Sequence, residues 1–251
     1  MSKKGKASDI LPRLSEYQRD YRGQRPRPEV FQRMVLDDIS LFDSPTVLDI
    51  GCGTGFDLRN DLQAEIAKRS ARFIGVEPDE EIDVGEYITH VHRCNFEQSE
   101  IESNSVDVAY SVMVLEHVAQ PQSFFEQLHR VLRPGGVFWG FTMDRRHYFS
   151  WVSDLTERLR VKTLILNMLH GRRGESRYEN YETYYRVNSP NQVSREVRAF
   201  RFSKFDWMSM GRVGQLDYYV PSLMRPLSHT MDRIEYRLGL PGSIFVVRIQ
   251  K

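Results

Sequence analysis

Asp49, Gly51, Gly53, Gly55 and Glu77 are the residues of this 251-residue chain whose types and spacing could do chemistry together. Val47-Leu48-Asp49-Ile50-Gly51-Cys52-Gly53-Thr54-Gly55 reads as a buried strand that stops in three closely spaced glycines. With no Cβ at those positions, the backbone can turn sharply and a ligand can come up against it. Arg72-Phe73-Ile74-Gly75-Val76-Glu77 is a second apolar strand that ends in an acid. In a doubly wound sheet the ends of the first two strands are neighbours, so Glu77 is expected beside the glycine turn, where a carboxylate can take both hydroxyls of a ribose. Asp49 sets the charge of the ligand. An acid two residues ahead of the turn repels a pyrophosphate and suits a cationic amino group. The dinucleotide fingerprint G-x-G-x-x-G also requires a glycine where this chain has Phe56, which counts against a dinucleotide.

These residues need a sheet to position them. Thr46 to Ile50 is β-branched and apolar enough for a central parallel strand, and Asp57 to Arg69 reads as the helix whose first N–H groups face the ligand. Ahead of it, Asp9 to Tyr21 forms a short helix with Tyr17 and Tyr21 one turn apart, readable as a lid or as ordinary packing. Pro26 and Pro28 break it, and Val30 to Leu41 follows as an amphipathic helix. Tyr87 to His92 is the third strand, with Asn95 and Phe96 at its exit. Val106 to Val112 is the fourth, its end opposite Gly51. Pro121 to Leu132 has the apolar spacing of a helix, which Arg133-Pro134-Gly135-Gly136 stops before a fifth strand, Val137 to Met143. From Asp144 the chain becomes rich in arginine and aromatics, and residues 144–187 read as an insertion between strands. Leu155 to Leu169 within it is amphipathic, and both core packing and contact with a lipid surface fit that pattern. A helix through Arg198, a strand from Phe200 to Trp207, a helix from Leu227 to Leu238 and a strand from Ser243 to Ile249 complete the chain.

The ordered series, an acid and G-x-G-x-G, then Glu77, Asn95-Phe96, Asp107-Val108-Ala109-Tyr110, Val114-Leu115-Glu116-His117-Val118 and Leu132-Arg133-Pro134-Gly135-Gly136, resembles the class I S-adenosylmethionine-dependent methyltransferases, with a type 11-like domain. That resemblance implies an α/β fold: a Rossmann-like, doubly wound seven-stranded sheet, mostly parallel with the last strand antiparallel, helices on both faces and a helical cap insertion. It implies a tail and lid helix over residues 1–28 and a methyltransferase domain over 29–251, with substrate-cap insertions at about 144–187 and 211–241. It assigns S-adenosylmethionine to Asp49, Gly51, Cys52, Gly53, Gly55, Glu77, Pro78, Asn95, Phe96 and Leu115. Asn95 stands where the family commonly has an acid for the adenine amino group; an amide oxygen still accepts from that group, without charge. His117, just past the fourth strand, and His147, at the start of the insertion, are the candidate catalytic bases, because imidazole accepts a proton near neutral pH.

The implied reaction is methyl transfer to a small-molecule or lipid-like acceptor. A cofactor-binding regulatory protein without catalysis and an NAD-dependent oxidoreductase are the alternatives. Lys+Arg 35 against Asp+Glu 34, a net charge of +1, argues against nucleic acid as partner, although the arginines near 195–201 keep an RNA acceptor open. With Cys52 and Cys94 as the two cysteines, neither a disulfide framework nor a metal constellation is expected. Met1 to Ile10 lacks the apolar stretch of a secretion signal, and there is no run of ~20 apolar residues, so the default expectation is a cytoplasmic protein without a transmembrane segment. Nothing in the sequence sets its oligomeric state.

Overall fold

A computed structural model describes residues 10–53, 55–150, 182–217, 220 and 222–251. Five strands run parallel: β1 (Thr46–Ile50), β2 (Arg72–Val76), β3 (His90–His92), β4 (Val106–Val112) and β5 (Leu132–Met143). β7 (Ile244–Gln250) is antiparallel both to β5 and to β6 (Lys204–Met210) and lies between them. The sheet order is β3-β2-β1-β4-β5-β7-β6. The doubly wound, mostly parallel sheet with an antiparallel last strand is therefore as the sequence implied.

Both faces are covered, and the period-2 alternation of the strands decides which side chain goes where. Val47, Tyr110, Trp139 and Val246 join Tyr17 of α1 (Ile10–Arg22), Phe31 and Met34 of α2 (Arg27–Ile39) and Ile66 of α3 (Asn60–Lys68) in one core. Leu48, Ala109, Phe138 and Val247 join Phe124 and Leu128 of α4 (Pro121–Val131) and Val193 of α5 (Pro190–Ala199) in the other. A proline stands in the first turn of α2, α4, α5 and α6 (Arg225–Leu238), where its missing N–H costs nothing. The first core also holds a buried ion pair. Asp38 of α2 accepts from Arg248 Nε of β7 at 2.7 Å and from Trp139 Nε1 at 2.8 Å.

Several boundaries differ from the sequence reading. α2 starts three residues earlier than expected and α3 three residues later, the latter because Asp57 and Leu58 adopt left-handed φ of 49° and 67°. Arg27 holds the Asp57 carboxylate in that position with two bonds, at 2.8 and 2.6 Å. The third strand is only His90–His92, since Tyr87 turns back to donate its hydroxyl to Gln63 Oε1 at 2.7 Å. Arg133–Gly136 loops out of β5, so that Leu132 pairs with Val106 while Val137 pairs with Val108. β6 begins at Lys204, not Phe200. Tyr17 and Tyr21 are buried, with Tyr17 donating to Asp37 at 2.7 Å. The expected helix from Leu155 to Leu169 lies outside the described residues.

Candidate functional site

The C-terminal ends of β1, β2 and β4 converge on the glycine turn. Gly51, Gly53 and Gly55 have φ of 75°, 35° and 109°, the left-handed region that favours glycine. A Cβ at Gly51 would run into the Val114 side chain, and one at Gly55 would come within 2.5 Å of Asn60 Oδ1. The described N–H groups of this turn are engaged within the protein. Gly51 and Cys52 donate to the Val76 carbonyl at 2.8 and 3.1 Å, Gly55 to the Cys52 carbonyl at 3.3 Å, and Gly53 to Glu77 Oε2 at 3.0 Å. Among the described residues of the turn, four N–H groups are therefore engaged within the protein and do not form the outward cradle of a pyrophosphate site.

Glu77 is buried directly past β2, its other oxygen accepting from the Asp79 N–H at 3.1 Å. Pro78 beside it is exposed. Asp49 lies on the α2–α3 side of β1, where Oδ2 accepts from Tyr110 at 2.6 Å and from Gln63 at 2.7 Å. Burial pushes its carboxyl up to about 7, the charge of Glu77 adds to the rise, and the bonds from Tyr110 and Gln63 oppose it. Gln63 also donates to the Cys52 carbonyl at 2.9 Å, so one amide ties the acid to the turn. The Cys52 thiol is pushed up by burial and by the two nearby acids, which makes it a packing group and not a nucleophile. Across the edge, Asn95 is exposed and Phe96 buried at the head of a single 3-10 turn after β3. Leu115 is fully buried and belongs to the second core.

The two histidines have opposite environments. His117 is half-buried, and its Nδ1 lies 3.0 Å from the Glu182 carbonyl. A carbonyl only accepts, so Nδ1 carries the proton and Nε2 the lone pair of the neutral ring. Its neighbour Glu116 points inward, accepting from Thr142 Oγ1 at 2.5 Å, with Asn188 donating to the same hydroxyl at 2.6 Å; burial raises the Glu116 carboxyl. The Glu116 carbonyl accepts from the Tyr184 N–H at 2.7 Å, which fastens the 182–188 segment to this strand end. His147, by contrast, is fully buried. Its Nδ1 accepts from the Phe149 N–H at 3.1 Å, and its Nε2 lies between Glu235 at 3.1 Å and the Gln215 amide nitrogen at 3.2 Å, so both nitrogens are engaged within the fold.

Several of these partners went unread in the sequence. Gln63 and Tyr110 complete Asp49; in the sequence Tyr110 stood only as the end of the Asp107-Val108-Ala109-Tyr110 run. His147, Asp232 and Glu235, far apart in the chain, bring three potential ligand atoms within 4.8 Å of one another in a buried cluster, a grouping the sequence did not suggest. Asp232 accepts there from the Gly214 N–H at 2.8 Å and from Gln215 at 3.1 Å, so the cluster is already closed by hydrogen bonds.

Residues 48–140 match the sequence model of a methyltransferase domain. An uncharacterized methyltransferase of Mycobacteroides abscessus is 34% identical over 125 residues, covering 42% of this chain and 46% of that protein. A ubiquinone biosynthesis O-methyltransferase of Agrobacterium fabrum is 32% identical over 108 residues, covering 39% and 41%. The chain spans about half the length of the curated relatives it matches. Among solved structures, a SAM-dependent methyltransferase from Archaeoglobus fulgidus aligns with a TM-score of 0.58 over 97% of this chain and 100% of its own, at 13% identity. Geranyl diphosphate C-methyltransferase from Streptomyces coelicolor aligns with a TM-score of 0.56 over 87% and 76%, at 16% identity. The fold is shared.

Proposed function

We propose that this chain, whose residues 48–140 are a methyltransferase domain of the class I S-adenosylmethionine-dependent type, transfers a methyl group to a small-molecule or lipid-like acceptor. The observation that carries this reading is the chemistry of the donor set around the turn. The N–H groups of Gly51, Cys52, Gly53 and Gly55 are spent on Val76, Cys52 and Glu77, while two buried acids, Asp49 and Glu77, flank the turn. That set suits a ribose and a cationic amino group and is hostile to a diphosphate, which separates it from an NAD site.

S-adenosylmethionine, when bound, supplies a methyl group already activated by its sulfonium, so the protein's task is chiefly alignment. In this reading Glu77 takes the ribose hydroxyls, Asp49 the amino group, the Gly51–Gly55 backbone makes room, and Asn95 and Phe96 meet the adenine with Pro78 and Leu115 on its borders. His117, half-buried just past β4, removes or holds the acceptor's proton. His147 then serves as support, since its two nitrogens are engaged within the fold.

Calorimetry tests the cofactor: saturable binding of S-adenosylhomocysteine with no binding of NAD is the expected result, and the reverse would select the oxidoreductase. Screening acceptors with His117→Ala beside the wild-type protein tests the base. Turnover should fall by ~10²–10⁴-fold at unchanged cofactor affinity; a loss of affinity in step with activity would make His117 part of the scaffold.

A further inference from the structure

We propose that α6 docks this protein onto an anionic lipid surface. Four large apolar residues of α6, Leu227, Met231, Ile234 and Leu238, recur at steps of four, three and four, the spacing that puts them on one face of a helix, and Leu223 stands in the 3-10 turn Ser222–Met224 just ahead of it. None of them is buried: Leu223 is 91% exposed, Leu227 62% and Leu238 67%, with Met231 and Ile234 also open. A stripe of this kind along a helix of about 21 Å exceeds the scattered single leucines of an ordinary surface.

The charges on the same helix are sorted by sign. Both of its acids, Asp232 and Glu235, are buried, where they meet His147, Gln215 and the Gly214 N–H. Arg225, Arg233 and Arg237 are all exposed. Every formal charge that α6 shows to solvent is therefore positive, in a chain whose net charge is only +1. An apolar stripe edged by arginine, with its acids turned inward, matches a bilayer interface: side chains enter the acyl boundary while guanidinium groups meet headgroup phosphates. Salt bridges to a protein partner would use acids of the partner only, and a second copy of this chain would bring the same arginines face to face. Charge complementarity therefore favours the anionic bilayer. Gly239, at φ 64°, ends the helix, and exposed Leu240 follows it to lengthen the apolar edge.

Co-sedimentation of the full chain with vesicles provides the test, using phosphatidylcholine alone and phosphatidylcholine mixed with phosphatidylglycerol. The wild-type protein should bind the mixed vesicles, lose most of that binding at high salt, and leave the neutral vesicles largely in the supernatant. Arg233→Gln with Arg237→Gln should weaken binding to mixed vesicles roughly 30-fold. Leu223→Ser, Leu227→Ser and Leu238→Ser together should weaken it more than about tenfold, with little change in melting temperature, because these three side chains are 91%, 62% and 67% exposed. Absence of binding to the mixed vesicles, or binding indifferent to both sets of substitutions, would overturn the proposal. So would concentration-dependent dimerisation abolished by the serine variant, which would make the stripe an interface between copies. A marked fall in melting temperature in that variant would equally overturn it, since the stripe would then be covered by the chain itself.

Discussion

Two aspartates are buried on the same face of the sheet, Asp38 on α2 and Asp49 in β1, and they are completed in different ways. Asp38 meets a full cation: Arg248 reaches it at 2.7 Å, with the Trp139 indole as a second donor. Asp49 meets only neutral donors, a phenol and an amide, and burial drives its carboxyl up to about 7. The first is a closed structural ion pair joining α2 to β7. The second is an acid kept without a protein cation, beside a turn that can admit one. The same residue type, equally buried, thus serves architecture where its countercharge is built in and, in the function proposed above, ligand binding where it is not.

Breaking the Asp38 side should produce the larger effect. Asp38→Asn leaves Arg248 buried, with Asp206 at 4.0 Å as its remaining acid, and should cost about 3–5 kcal/mol of stability in urea unfolding. A loss under about 1 kcal/mol would show that the pair is no structural anchor. On the Asp49 side, the change should appear in binding. Glu77→Ala removes the carboxylate that meets Gly53 and should weaken S-adenosylhomocysteine by ~1.5–3 kcal/mol in calorimetry. An unchanged dissociation constant in a folded variant would remove Glu77 from the site. Smallest is the pH signature of Asp49. An acid whose folded pKa lies above its unfolded value binds more protons in the folded state, so its favourable contribution is complete below 3.8 and is lost as pH rises through about 7. Asp49→Asn should therefore gain stability relative to the wild-type protein between those values in melts run across pH. Affinity for a ligand bearing an ammonium group should fall about tenfold per pH unit below 7 in the wild-type protein and stay flat in Asp49→Asn. Parallel profiles in the two proteins would close the comparison by making Asp49 as structural as Asp38.

The sequence made the parallel half legible because its signals are local. β1, β2 and β4 are apolar runs bounded by glycine, acid or polar residues, and each ends within a residue or so of where its pattern stops. Glu77 was found beside Gly53 because strand order fixes that neighbourhood. Tyr87 looked like strand because it is aromatic and near β-branched residues, yet its hydroxyl found Gln63, a partner that local pattern does not reveal. Gln63 and Tyr110 as completers of Asp49, and Arg248 as the partner of Asp38, were hidden for the same reason: each contact crosses the chain. His147 shows the limit on the site itself. Its position after β5 made it a candidate base, and only the local turn at Phe149 together with the packing of α6 reveals that both its nitrogens are occupied.

The placement of β7 between β5 and β6 has a consequence for synthesis. The strands from β1 to β4 can assemble as they emerge, but the outer edge of β5 and the whole of β6 have no ladder to join until β7 is made. In the interval, Trp139 and Phe141 lie on a strand with open backbone groups, a template for pairing with another chain. Pairings of such long range form slowly, which prolongs the exposure. A nascent chain stalled before Ile244 should therefore depend on chaperones far more than one that has passed Gln250.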